Sequence, residues 1–591
     1  MRSFERFPNL VAMFLQRAAE NGDKPFLWSK KDGEWASISW AEAARQVASF
    51  AQALKRLGLR EGDRVVFVSE NRPEWCITDL GIMAAGCVTV PTYTTNTERD
   101  HAHILENSGA RAAVVSTAKL SQTLLPAIVR SSTCEQLIAM EKLPNCAIRC
   151  TEWAEMVGDR DVDVSAARDG AADVRREDLA CLIYTSGTGG APRGVQQHHG
   201  AILLNVEGCV DIIQNDFGWD DEVFLSFLPL SHAYEHSGGQ FLPIGLGGQI
   251  YYAEGLEKLA ANIEEVRPTI MVVVPRLFEL LRARLLKSVE KQGKVARTLL
   301  AKALELGARE KPRISDFPAQ LAVNLLLKPK VSKRFGGRIK ALVSGGAPLN
   351  HEVGQFFSSL GLTLLQGYGQ TESGPVISCN RPSAGIKVGT VGPPMKGVEL
   401  KIADDGEILV RGELVMHGYW RNETETERVL KQGWLHTGDV GHLDEKNRLV
   451  ITDRKKDLIV NDKGDNIAPQ RVEGMLTLQP EIAQAMISGD RRPYIVGLIV
   501  PDQEWIAGWA EERGLAPVLS QLRDNPDFHR ALMAAVDRTN TELSVIEKVR
   551  RIAIADEAFS IENEQMTPSM KNRRHAIRAV YGERIDALYG S

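Results

Sequence analysis

Tyr184-Thr185-Ser186-Gly187-Thr188-Gly189-Gly190-Ala191-Pro192-Arg193-Gly194-Val195 follows directly on the apolar run Leu179–Tyr184. An apolar run that ends in a turn rich in glycine and hydroxyls reads as a buried strand delivering a loop to the edge of a sheet. Three hydroxyls, four glycines and an arginine are what a loop needs to wrap polyphosphate oxygens. Backbone N–H groups come close where no Cβ intervenes, the hydroxyls donate, and the guanidinium supplies charge. Two other phosphate loops fail on spacing. Gly189 to Gly194 has the G-x-x-x-x-G interval, but Val195 stands where a P-loop needs Lys followed by Ser or Thr. Gly187 and Gly189 open a dinucleotide fingerprint, but Pro192 holds the place of its third glycine.

Similar short runs rich in β-branched residues lie on both sides of this loop: Val65–Val68, Cys87–Val90, Ala112–Val115, Val223–Leu228, Ile270–Val274 and Ala341–Val343. Near-continuous apolar runs of strand length belong to sheets buried on both faces. Helical periodicity separates several of them, as in Trp40–Leu57 before Gly58 and Leu256–Val266 before Pro268, so the chain predicts βαβ units and mostly parallel sheets. Leu277 to about Leu327 reads as helix throughout. The following stretch holds Lys328, Lys330, Lys333, Arg334, Arg338 and Lys340 and no acid. It reads as a solvated helix end or as a site for phosphates or an anionic membrane surface. At Asp453-Arg454-Lys455-Lys456-Asp457 the composition shifts to a polar turn, a strand candidate at Ile495–Val500 and charged helices. We expect a hinge there between a domain of residues 1–455 and a smaller one of residues 456–591.

At 591 residues the chain is too long for one core. A net charge of −5 gives no global basic field for a polyanion, so no nucleic-acid partner is expected. Eight scattered cysteines without a C-x-x-C pair read as reduced thiols, which favours a cytoplasmic location. Met1 to Phe14 has no signal-peptide pattern, and no run of spanning length occurs, so membrane contact is expected to be peripheral at most.

Two further clusters carry chemistry. In Gln366-Gly367-Tyr368-Gly369-Gln370-Thr371-Glu372, a ring between glycines can face a planar base, Thr371 can reach a phosphate, and Glu372 offers a hard oxygen to Mg²⁺. In Trp434-Leu435-His436-Thr437-Gly438-Asp439, the acid reads either as a ribose-diol acceptor or as an Asx-turn residue.

Together these segments resemble the adenylate-forming acyl-CoA synthetases over nearly the whole chain and in the same order. The long-chain fatty acid branch is similar at Leu228-Pro229-Leu230-Ser231-His232-Ala233-Tyr234-Glu235, Tyr251-Tyr252-Ala253-Glu254-Gly255 and Val274-Pro275-Arg276-Leu277-Phe278-Glu279. The resemblance implies an α/β fold: a large N-terminal domain of stacked, mostly parallel βα sheets with a distorted β-barrel-like subdomain, and a small mobile α+β C-terminal domain. It implies a fatty acid–CoA ligase using ATP, Mg²⁺ and coenzyme A through an acyl-adenylate.

Carried over by residue, the resemblance implies that Thr185, Ser186, Gly187 and Thr188 lie on the β- and γ-phosphates, with Gly189, Gly190 and Arg193 in the same loop. It sets Tyr368 against adenine, Thr371 on the α-phosphate and Glu372 on Mg²⁺, with Gln366, Gly367 and Gly369 in that motif. Asp439 and Arg454 take the ribose, and Gly345, Gly346 and Ala347 line the adenine and acyl side. His232 lies beside the acyl carboxylate or is a capped or core histidine, Lys456 is the hinge residue, and Lys571 bridges carboxylate and α-phosphate. The family pattern has Thr where Gly189 stands and Lys where Arg193 stands. Two alternatives stay open: a fatty acyl-AMP ligase loading a carrier protein, and a catalytically silent relative that binds ATP or acyl ligands.

Overall fold

Leu179–Thr185 and Arg193–His198 form an antiparallel pair whose register sets Thr185 opposite Arg193. The computed structural model describes residues 4–143, 148–185, 191–309, 313–455, 458–567 and 572–590. The chain divides into two compact units, Met1–Thr437 with His442–Val450, and Gly438–Gly441 with Ile451–Ser591.

In the first unit the hairpin ends a seven-stranded sheet. Its other strands, in order from the far edge, are Arg149–Glu152, Gln136–Ala139, Ala112–Val115, Arg64–Val68 and Val88–Thr92, all parallel. A second sheet has eight strands. Leu364–Gly369, Ala341–Ser344, Ile270–Val273, Val223–Ser226, Gln249–Tyr252 and Pro25–Lys31 run parallel, and Val376–Cys379 and Glu34–Ser39 close its edges in the antiparallel sense. The runs expected from sequence are these strands to within a few residues, because a strand buried on both faces must be apolar at every position.

One apolar cluster joins the sheets. It takes Phe67 and Val114 from the first, Phe224 and Ile250 from the second, and residues of the helices Leu10–Asn21, Trp40–Arg56, Pro73–Ala84 and His199–Asp216. Pro73–Ala84 is apolar nearly all round and buried at every position but Glu74, as a helix enclosed between layers must be. A curled, mainly antiparallel sheet that includes Glu399–Ile402, Glu407–Arg411 and Trp434–Leu443 completes the predicted third part.

The second unit is α+β. Ile482–Ser488, Ile495–Pro501 and Val549–Ile554 form a three-stranded sheet. Ile495 and Ile499 face one cluster with the helices Pro469–Leu476 and Pro526–Asn540; Val496, Leu498 and Val500 face another with Arg574–Ala587. Among the described residues the cysteines are free, and no helix is long and apolar enough to cross a membrane.

Candidate active site

The strand Leu364–Gly369 leaves its sheet through Tyr368 and enters a 3₁₀ turn at Thr371–Ser373, closed by reciprocal bonds between Gln370 and Ser373. Gly369 is required there: a Cβ would collide with the carbonyl oxygen of Pro375. Every carbonyl of the turn accepts a hydrogen bond from a neighbouring element. Gln197 Nε2 donates to Thr371 O at 2.7 Å, Met416 N to Glu372 O at 2.9 Å, and Asn205 Nδ2 to Ser373 O at 3.4 Å. A turn tied at three consecutive residues fixes the backbone that carries Thr371 and Glu372.

Glu372 has a partner that sequence reasoning missed. Tyr419 Oη donates to Glu372 Oε1 at 2.7 Å. Burial, followed by the nearby carboxylate, raises the Tyr419 hydroxyl well above the usual phenol range, so it remains a donor. The Arg193 guanidinium lies over the Tyr419 ring, 4.6 Å from its centroid, and is ion-paired with Glu425. Arg193 therefore begins a strand and joins a line from Glu425 through Tyr419 to Glu372. Gly418-Tyr419-Trp420, two aromatics after a glycine at φ 138°, was the available sequence signal.

His232 caps the short helix Ala233–Glu235, its Nδ1 accepting from Tyr234 N at 3.2 Å, which puts the proton of the neutral ring on Nε2. It also lines a cavity. Tyr234 Oη donates to Val343 O at 2.9 Å, and its ring occupies the space that a Cβ at Gly345 would fill.

The cavity joins His232, Gly345, Gly346, Gly367, Tyr368, Gly369 and Thr371 and encloses about 1070 Å³ of space between atoms, its open mouth included. It continues as a slot between one face of the eight-stranded sheet and the helix His199–Asp216. Val272, Val343 and Leu365, side by side on three neighbouring strands, form one wall, while Val206, Cys209 and Ile212 form the other at helical spacing. Lys340, at the foot, is bound to Glu222 Oε1 at 2.5 Å and Asp220 Oδ2 at 2.9 Å. From Gly345 to Lys340, at about 3.3 Å per residue, the slot is about 17 Å long. The sequence analysis did not single out this helical wall.

Other expected residues stand elsewhere. Gln366 lies buried in the strand beneath the turn, Ala347 is exposed beside Gly346, and Thr185 ends its strand opposite Arg193. Within the second unit, Arg454 Nε donates to Asp439 Oδ1 at 2.9 Å, and Asp439 is buried. Ser186, Gly187, Thr188, Gly189, Gly190, Lys456 and Lys571 lie outside the described residues. Among the described residues no three His, Cys, Asp or Glu side chains gather as a metal cluster.

Comparison with known proteins agrees with this architecture. The AMP-binding enzyme family model matches residues 14–420, and the AMP-binding enzyme C-terminal domain model matches residues 456–591. The long-chain-fatty-acid–CoA ligase FadD15 of Mycobacterium bovis is 33% identical, over 98% of this chain and 97% of its own. The peroxisomal long chain acyl-CoA synthetase 7 of Arabidopsis thaliana is 28% identical, over 94% of this chain and 82% of its own. The fold is shared with the A domain of the carboxylic acid reductase from Segniliparus rugosus, solved with AMP and a co-purified carboxylic acid. There the TM-score is 0.75 at 21% identity, over 99% of this chain and 94% of that one. With a glycine-spaced tyrosine and an anchored Thr-Glu turn opening on a deep slot, and with family matches over both units, the chain belongs to the AMP-binding enzyme family, the adenylate-forming enzymes that include the acid–CoA ligases.

Proposed function

We propose that the protein is an ATP-dependent long-chain fatty acid–CoA ligase. The observation that carries this reading is the apolar slot, about 17 Å long, that starts at the Thr371 turn and His232. Short acids do not need such depth, and a narrow apolar slot rewards a linear chain through burial of its methylenes. In the first half-reaction a carboxylate oxygen attacks the α-phosphorus of ATP and pyrophosphate leaves. In the second, the sulfur of coenzyme A attacks the acyl carbon, AMP leaves, and the thiol proton passes to solvent.

A fatty carboxylate is already ionised at neutral pH, so no base and no side-chain nucleophile is needed. The difficulty is bringing two anions together and collecting charge on the leaving group, which positioned donors and cations relieve. Thr371 binds the α-phosphate, Tyr368 faces adenine, and the loop from Thr185 to Arg193 takes the β- and γ-phosphates. His232 orients the carboxylate at the mouth of the slot. Asp439 and Arg454 take the ribose.

Mg²⁺ is ordinarily held by one or two carboxylates, waters and substrate phosphates rather than by an all-protein cage, and the single anchored carboxylate of Glu372 fits that donor set. When bound there, the ion would neutralise phosphate charge. Lys571 holds carboxylate and α-phosphate together for adenylation. A turn of the small domain about Lys456 then withdraws it so that the thiol can enter.

One observation favours a silent relative: Arg193, which stands where the family has Lys, is already engaged by Glu425 and Tyr419. Product analysis by mass spectrometry separates the readings. With ATP, Mg²⁺ and palmitate, palmitoyl-AMP and pyrophosphate should form; adding CoA should convert the adduct to palmitoyl-CoA and AMP. Accumulation of palmitoyl-AMP with CoA present would favour a carrier-loading ligase, and no pyrophosphate with any acid would favour the silent reading.

A further inference from the structure

The helical run from Phe317 to Arg334 is amphipathic in an unusual way. Val323, Leu327 and Val331, at i, i+4 and i+8, are buried against the rest of the unit. The outer face of a surface helix is ordinarily polar. Here it carries Phe317 (70% exposed), Leu321 (48%), Leu325 (65%) and Leu326 (54%). Large apolar side chains grouped on one exposed face mark an interaction site.

Charge identifies the partner. From Phe317 to Lys340 the sequence has no Asp or Glu and six Lys or Arg. Two of these are committed to the protein: Lys340 to Glu222 and Asp220, and Arg338 to the carbonyl oxygens of Arg267 and Val266. Lys330, Lys333 and Arg334 are exposed and form no salt bridge among the described residues. The exposed cations thus lie at the C-terminal end of the run, next to the exposed apolar residues, with no carboxylate between them.

We infer that this face binds the surface of an anionic lipid bilayer, Phe317, Leu321, Leu325 and Leu326 entering the headgroup–acyl boundary while Lys330, Lys333 and Arg334 meet anionic headgroups. A second copy of the chain is the poorer occupant. A two-fold contact presents the same patch from both sides, so it would set these cations near their counterparts with no acid in the segment to separate them. This inference does not depend on the proposed ligase activity.

Co-sedimentation of the full chain with phosphatidylcholine vesicles, with and without phosphatidylglycerol, tests it. The protein should pellet with the anionic vesicles and be released by added salt, which screens the exposed cations. Combining Phe317→Asp, Leu321→Asp and Leu325→Asp should lower the partition coefficient by about tenfold or more, and combining Lys330→Glu, Lys333→Glu and Arg334→Glu should do the same. These side chains are exposed, so both variants should melt as the parent does. Absence of binding to anionic vesicles, or equal binding by either variant, would overturn the inference. So would light scattering that shows a dimer which the apolar variant converts to a monomer.

Discussion

Tyr419 Oη donates to Glu372 Oε1 at 2.7 Å across 47 residues of sequence, and Arg193 stacks on the same tyrosine ring. The carboxylate of the Thr371–Ser373 turn is therefore oriented from outside its own motif. A hydrogen bond to a charged group contributes about 1.5–3 kcal/mol, about one to two orders of magnitude in an equilibrium or rate constant. Tyr419→Phe should lower kcat/KM by about that factor and raise the Mg²⁺ concentration needed for half-maximal activity, with the melting temperature little changed. An unaltered Mg²⁺ titration would remove Tyr419 from the account.

The slot makes a prediction about chain length. Ile212 lies along the helical wall, and replacing it by Trp fills space there. Ile212→Trp should cut turnover of palmitate and oleate by about tenfold or more while sparing the shortest acids accepted, because only long chains reach that depth. An acid panel reads the outcome, and equal losses at all lengths would mean that the chain binds elsewhere.

Lys571 is assigned to the first half-reaction alone. Lys571→Ala should abolish palmitate-dependent pyrophosphate release yet retain palmitoyl-CoA formation from supplied palmitoyl-AMP. Equal loss of both half-reactions would contradict the assignment and, with it, the hinge at Lys456.

Glu235 supplies a pH signature. It is buried, Ser226 Oγ donates to its Oε1 at 2.6 Å, and burial pushes its carboxyl up to about 8. In the unfolded chain the group releases its proton near 4.5. Between these values the folded state binds the extra proton, so stability attributable to this residue falls as pH rises through the window and is level above it. Glu235→Gln, which has no proton to lose, should gain on the parent across that window in thermal or denaturant melts. Parallel stability curves would mean that Glu235 stays ionised.

Much of this was legible in the sequence because the signals were local. Ala112–Val115 and Ile270–Val273 are strands buried on both faces, so their apolar runs could not be read as surface, and Trp40–Arg56 has a helical period with a serine cap. The glycines around Tyr368 announced a close backbone approach, realised at Gly369 against Pro375. The edge strand Glu34–Ser39 was not legible, since none of its residues is buried and they carry no alternation. Nor was the pairing of Arg193 with Glu425, 232 residues away, or of Tyr419 with Glu372: periodicity reports what a residue's own element requires and is silent about which distant element packs against it. The slot lay between these cases. Val206, Cys209 and Ile212 repeat at helical spacing, but the same pattern serves an ordinary core helix, and only the sheet opposite leaves a space there.

The most direct test of the account is fatty-acid-dependent exchange of labelled pyrophosphate into ATP, with no CoA present. The account predicts exchange that requires Mg²⁺ and a long-chain acid, rises from short acids to palmitate, and is lost in Lys571→Ala. No exchange with any acid from acetate to oleate, by a protein that still binds ATP, would contradict it.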